Sequence, residues 1–402
     1  MSNILDDLFT GHVSRRRLFQ ALAAPALLAP AVAAQEKAKK AGAKPEVKYS
    51  PANIGGGGRI ERNFYRDWTK ATKAPMVEGY SILDAKTKEV HPWPEIGGRG
   101  LYLNFSGNVH MDGVIMEIPS GKSLLPSQKF YEQLVVVLSG RGTTTFGDGP
   151  QQNKVNWGEG SLFAIPMNVL LRHQNADSQH PARLLAITSF PFALQVFGSM
   201  GLINDTKFSF TDRYDGAPDY FSNTDRVRKR WDQTNFVKDI RSSEVVAWEE
   251  RGEGNASMFW DMAGNTILEP HMSDFPVASY KLGHRHPYEA IILTLNGRGF
   301  TLFGKDSLKN VDLLQLEWKA GSIVSPPYFW YHQHFNTGDT RARYFAVTEG
   351  DFPKRLGIPL DVQQIEANEE DPEIKKRFER ERKMPVAYNR HHHEHDHGHH
   401  HS

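Results

Sequence analysis

The sequence predicts an all-β chain made of two copies of one domain, and three observations carry that expectation. The first is an internal repeat: residues 127–147 read SQKFYEQLVVVLSGRGTTTFG, residues 284–304 read HRHPYEAIILTLNGRGFTLFG, and nine of 21 positions coincide without a gap. A second pair lies downstream, 156–175 (NWGEGSLFAIPMNVLLRHQN) against 317–336 (EWKAGSIVSPPYFWYHQHFN), sharing Trp, Gly-Ser, Pro, His and Asn, with one inserted residue before the later Pro. The second observation is the period. At about 157 residues it is too long for a solenoid unit and fits a duplicated domain. The third is local: the apolar runs at 134–138 and 290–295 are short and stop at Gly-containing turns, as strands do. With 34 Gly, 23 Pro and 11 % aromatic residues, the composition favours turn-rich β structure over a helical bundle.

Taken in order along the 402 residues, the chain divides into six segments. Residues 1–34 have the layout of an export signal: Arg15, Arg16 and Arg17, then an Ala-rich apolar stretch, then small residues at 31–34. The stretch is too short to remain as a stable membrane anchor. Arg15-Arg16 resembles a twin-arginine (Tat) signal, which implies passage through the Tat translocase as a folded protein and a periplasmic destination. An amphipathic N-terminal helix is the competing reading, and Pro25 and Pro30 oppose it. Residues 35–60 are a Lys-, Ala- and Gly-rich flexible lead-in. The first domain is expected over 61–215 and the second over 256–362. Between them, 216–255 is polar and reads as a partly helical linker, with Arg226, Arg228, Lys229 and Arg230 as a solvated basic cluster. Residues 363–402 hold a charged helix, entered at Asp371-Pro372, and a tail with eight of the 18 histidines. That tail is low-complexity and of a kind that binds metal loosely or simply stays solvated.

Charge and cysteine content exclude several chemistries. Lys and Arg total 48 against 47 Asp and Glu, which speaks against a nucleic-acid partner. The absence of cysteine rules out disulfides, thiolate metal sites, Fe–S clusters and a Cys nucleophile.

The chemistry is expected from histidine. His284/His286 and His332/His334 are two pairs at i, i+2, and residues two apart in a strand face the same side. Each pair therefore aims two imidazoles into one interior, with Arg285 outward in the first. Converging neutral imidazoles form a first-row metal site. Chance surface placement is the alternative, and it weakens when two pairs recur at matching β positions of one copy.

At these residues the chain resembles the cupin superfamily. Its first motif carries His-x-His and a closing Gly, filled here by His284, His286 and Gly297; its second carries Pro, His and Asn, filled by Pro327, His332 and Asn336, with Phe329 where a Gly would stand. The resemblance spans both copies, about two-thirds of the chain. It implies two jelly-roll (double-stranded β-helix) barrels, a bicupin, with His284, His286 and His332 as ligands of one divalent transition metal. The motif's carboxylate position falls on Ala290; Glu289 is one residue early, so strand alternation turns it to the opposite face unless an irregularity at Pro287 rotates it back as a fourth ligand. Three His without a carboxylate, together with Trp330-Tyr331-His332-Gln333-His334-Phe335-Asn336, is similar to the gentisate-type ring-cleaving dioxygenases. That similarity implies Fe(II) first, with Mn, Ni, Cu or Zn as other ions, and O2 and a small hydroxylated aromatic compound as substrates. It places His334 beside the metal, where it would orient a ligand or move a proton. Trp330, with Phe329 and Tyr331, reads as an aromatic wall of the substrate pocket to which Tyr288 adds, with core packing the favoured competing role for each. The first copy has Ser127, Lys129 and Leu171 at the ligand positions, so it is expected to be scaffold or a metal-free anion pocket. Two other readings stand beside the oxygenase: a periplasmic metal-storage cupin, and a Mn, Ni or Cu cupin isomerase or decarboxylase. Bicupins often assemble further, so a homo-oligomer is the expectation for quaternary structure.

Overall fold

A computed structural model describes residues 62–148, 152–309 and 313–383. The export signal, the lead-in and the His-rich tail lie outside the described residues. Among those described, no helix is long and apolar enough to cross a membrane.

The repeat folds as two jelly-roll barrels with the same strand order. In the N-terminal barrel the larger sheet runs Gly98–Phe105, Asp112–Ile118, Ala182–Thr188, Gln133–Ser139, Leu162–Ile165. The smaller runs Leu171–Asn175, Arg141–Phe146, Asn153–Gly158. In the C-terminal barrel the equivalents are Ala256–Asp261, Glu269–Phe275, Ala342–Thr348, Ala290–Asn296, Ile323–Val324 in one sheet and Tyr331–Asn336, Arg298–Gly304, Leu314–Lys319 in the other. The shared Gly-Arg-Gly explains the tight corner. Gly140 and Gly297 sit at φ 87° and 88°, a left-handed conformation that disfavours any side chain. A Cβ on Gly142 or Gly299 would collide with Trp157 or Trp318 and the facing strand.

The barrels exchange strands. Ser81–Ile82, ahead of the first barrel, pairs with Ile323–Val324 of the second; Phe236–Val237, ahead of the second, pairs with Leu162–Ile165 of the first. The fastenings match. Ser322 Oγ donates to Leu83 O at 2.6 Å and Ser161 Oγ to Lys238 O at 2.8 Å. Both larger sheets face one apolar core, in which Leu103, Phe105, Leu134 and Leu185 pack in the same cluster as Met272, Ile291, Ile323 and Phe345. The duplication thus buries a core shared by the two barrels, in addition to a cluster inside each.

The linker departs from expectation. Over 216–255 the only described helix is the 3₁₀ turn Glu249–Arg251, and the other regular elements are short strands, Thr224–Arg228, Trp231–Thr234, Phe236–Val237 and Val246–Ala247, joined by turns. Its polarity reflects edge strands rather than a solvated helix, and Arg226 of the basic cluster is held by Asp232 and Glu244. The C-terminal helix forms at Pro372–Arg382, N-capped by the Asp371 side chain on Glu373 N. It docks Ile374 and Phe378 against Phe300 and Phe335.

Candidate metal centre

The strand His284–Arg285 is only two residues long, and two neighbours hold it in place. His284 pairs with His332 on one side and with Gln364 on the other. Arg285 turns outward, as alternation requires, where its guanidinium lies 4.3 Å from the Phe329 ring and 4.6 Å from that of Tyr331, and Nε donates to Gln363 Oε1 at 2.8 Å. Phe329 adopts φ 59°, the conformation suited to the motif's Gly. Its equivalent Asn168 does the same at φ 58°, so the turn belongs to the barrel and the side chain is adapted to it.

The other faces of these strands bring His284, His286 and His332 together, with one ligand-capable atom from each lying within 4.8 Å of the others. All three are buried. Each Nδ1 faces a backbone carbonyl: Leu282 O at 3.0 Å for His284, Tyr288 O at 2.8 Å for His286 and Trp330 O at 3.1 Å for His332. A carbonyl only accepts, so each Nδ1 carries the proton and each Nε2 keeps its lone pair. Burial pushes the His332 imidazole down to about 4. Burial and then the charge of His332 hold His284 and His286 well below the usual histidine range. Three neutral imidazoles, oriented by carbonyls, form a donor set that fits one divalent transition metal.

The centre opens on a cavity of about 320 Å³. Tyr288 lines it and stacks on His286 with ring centroids 3.9 Å apart. His334 lines it too, but its Nδ1 is bonded to Thr301 Oγ1 at 2.8 Å, and the equivalent His173 makes the same bond to Thr144 at 2.7 Å. That bond is therefore a property of the barrel. Trp330 does not line the cavity. Its ring packs with Phe275, Phe303 and Trp318, and its contribution to the centre is its carbonyl. Glu289 is not a fourth member of the group: its carboxylate accepts from Val109 N at 2.7 Å, His110 N at 3.0 Å and Met111 N at 2.9 Å, across the barrel junction. The one-residue offset carries it to the opposite face.

Sequence reasoning missed the charged half of this cavity. Lys281, buried, donates to Ser273 Oγ at 2.9 Å and lies 4.8 Å from the Tyr344 ring. Burial favours the neutral Tyr344 phenol, but Lys281 and Ser273 outweigh it and bring the group below its ordinary value. Arg251 adds a second cation. Glu269 is pushed up to about 7 by burial and by Asp351, with Arg355 opposing. His271, stacked on Phe259, is lowered to about 3 by burial and then by Lys281 and Arg251, and its buried Nδ1 lacks a hydrogen-bond partner. The signal was available: Glu269, His271 and Ser273 alternate along one strand, as the His pairs do.

Among the described residues one further group has metal-ligand composition, His110 with Glu289 and Glu349. Here the atoms are already engaged. Glu289 is taken by three amides, and Glu349 accepts from Glu289 N at 2.8 Å and bonds His110 Nδ1. Burial lowers His110, but Glu349 and Glu289 outweigh it and raise the imidazole above its ordinary value. Phe192 and Tyr328 pack on its other sides. A raised histidine contributes stability that is complete below its unfolded pKa and lost as pH climbs through the folded one. His110→Gln is therefore expected to cost most at about pH 5.5 and progressively less toward about pH 8.5, read as the melting-temperature gap from wild type. A gap that widened with pH would contradict the assignment.

No family model matches the sequence, and no curated protein matches it. Solved structures do. The chain is similar to an oxalate decarboxylase from Bacillus subtilis (13 % identity, 75 % of this chain and 87 % of that one, TM-score 0.45). It is also similar to an oxalate decarboxylase from Lactobacillus farciminis (12 %, 72 % and 89 %, TM-score 0.47). A third is a salicylate 1,2-dioxygenase from Pseudaminobacter salicylatoxidans (13 %, 63 % and 75 %, TM-score 0.45). Likeness at this level does not reach the chemistry.

Proposed function

We propose that this chain is a metal-dependent oxygenase that acts on a small, anionic, hydroxylated aromatic compound in the C-terminal barrel. The observation that carries the proposal is the pairing of a neutral three-His group with two cations, Lys281 and Arg251, in one cavity. A divalent transition ion held by His284, His286 and His332, with Fe(II) the first choice, would supply open coordination positions for a chelating substrate and O2. Lys281 and Arg251 bind the substrate's carboxylate, because a buried ammonium gains most from a nearby anion. Tyr288, fixed on His286, walls the ring. Glu269, which lines the cavity, holds a proton near neutral pH and serves as the acid or base there. His334, tied to Thr301, keeps its remaining nitrogen toward the cavity and orients what binds there.

A decarboxylase is the second reading, and Glu269 favours it, since a protonated buried carboxyl can return a proton to a carbanion. One experiment separates the two. Oxygen uptake and CO2 release are measured together against salicylate, gentisate and oxalate with Fe(II)- and Mn(II)-loaded protein. The oxygenase reading expects O2 consumption matched to ring loss; CO2 without net O2 consumption transfers the assignment to the decarboxylase. Lys281→Met is expected to lower kcat/KM for a carboxylate substrate by about 100-fold while bound metal stays at one per chain. An unchanged kcat/KM would remove Lys281 from the site. We also propose that the chain reaches the periplasm by the Tat route on the strength of Arg15-Arg16, tested by Arg15→Lys with Arg16→Lys and fractionation.

A further inference from the structure

We infer that the N-terminal barrel is a second binding site, built to hold a small aromatic carboxylate without metal. Its interior has not been filled. A cavity of about 370 Å³ occupies it, no smaller than the one beside the three-His group. Ser127 bridges to Leu171 as His284 pairs with His332, so the two interiors correspond position by position. A barrel retained only as scaffold would gain by closing such a space, since cavities cost about 24 cal/mol per Å³.

The lining specifies the ligand. Trp93, Tyr102, Tyr131 and Phe190 give the space aromatic walls. Lys129 stands at the position of His286, half-buried, and donates to Asn204 Oδ1 at 2.7 Å, which leaves two ammonium N–H groups. Asp205 offsets part of its charge, and Glu95 is exposed at the rim. Among the described residues, neither the Tyr131 hydroxyl nor the Gln133 amide has a protein hydrogen-bond partner, although both line the cavity. An aromatic body fits the walls, a carboxylate answers Lys129, and its second oxygen or a ring substituent answers Tyr131 and Gln133. A cavity of about 150 Å³ takes benzene, so one- or two-ring acids fit here.

The site is independent of the metal centre, and its test is arranged to keep the two apart. Calorimetric titration of benzoate and 1-naphthoate is performed on the full chain and on the His284→Ala/His332→Ala chain. One molecule per chain is expected to bind to the double variant. Lys129→Met in that background should weaken both carboxylates at least tenfold and leave the neutral analogue benzyl alcohol unchanged. Leu171→Trp, which fills the cavity, should abolish all three, with melting curves confirming that each variant is folded. Loss of binding in the double variant would place the ligand at the metal centre and overturn the inference. So would unaltered affinity in Lys129→Met, or no heat with either acid at about 1 mM.

Discussion

Alanine at His284 or His332 is expected to reduce the metal held by the C-terminal barrel from one ion per chain to a trace. Each ring is one of three donors, each oriented by a single carbonyl, and among the described residues no carboxylate joins the group within 4.8 Å. Changing a group that merely orients a ligand costs about 10- to 100-fold in affinity, so losing the ligand itself costs more. The eight-histidine tail complicates the count and supplies the control. Metal is measured on the full chain and on a chain ended before residue 391. If removal of the tail alone took away all the metal, the centre proposed here would not exist. Linkage gives a second readout: a ligand that binds only the folded state adds about 2.7 kcal/mol at a hundredfold excess over Kd. Wild-type protein should therefore melt higher on adding Fe(II) or Mn(II), and the His284→Ala and His332→Ala chains should not. His334→Ala is the contrasting case. Its bond to Thr301 recurs at His173, so it should keep its metal.

The parts of this molecule that repeat were legible, and the parts that join the repeats were not. The strands either side of the Gly-Arg-Gly corner and of the shared Trp and Gly-Ser follow from sequence, because a turn signal and a two-residue period are local properties; the jelly-roll arrangement follows from the resemblance. The pairs His284/His286 and His332/His334 follow from the same period, while the choice of His284, His286 and His332 as the group follows from the resemblance to the cupins. The exchanged strands Ser81–Ile82 and Phe236–Val237 are too short to show any period, and their pairing partners are more than 70 residues away in sequence. The helix Phe190–Phe197 and the four-residue helix Phe352–Arg355 leave the same strand of each barrel, and the apolar content of the first imitates a continuing strand. Trp330 stands two residues before His332, where alternation would turn it to the same face, but it lies ahead of the strand Tyr331–Asn336, next to Phe329 at φ 59°, and its ring packs with Phe275, Phe303 and Trp318 instead. Glu289 is the most instructive case. Glu132 is its repeat partner, in a copy with none of the three histidines, and a carboxylate common to both copies points to architecture rather than to the metal.

That reading makes Glu132 and Glu289 the residues whose loss should cost the fold most. Glu132 is fully buried and accepts from Thr266 N at 2.6 Å, Ile267 N at 2.9 Å and Leu268 N at 3.0 Å, with Arg213 at 3.2 Å. Glu289, 1 % exposed, does the same for 109–111 with His110 as its cation. Each carboxylate thus reaches from one barrel into a loop of the other and satisfies three backbone donors that have no water to turn to. Alanine at either position strands those donors, a loss of about 3–5 kcal/mol; at Glu132 it also takes the anion from Arg213, whereas His110 keeps Glu349. Glutamine, which keeps one accepting oxygen but turns an NH2 toward N–H donors, should fall between alanine and wild type. The measurement is urea unfolding of the four single variants, with metal content determined on the folded fraction. Metal should stay at one per chain in Glu289→Ala, because the carboxylate faces away from the three imidazoles. If Glu289→Ala shed its metal while its unfolding midpoint stayed at the wild-type value, the residue would be a ligand after all and the two-barrel clamp would be the wrong description.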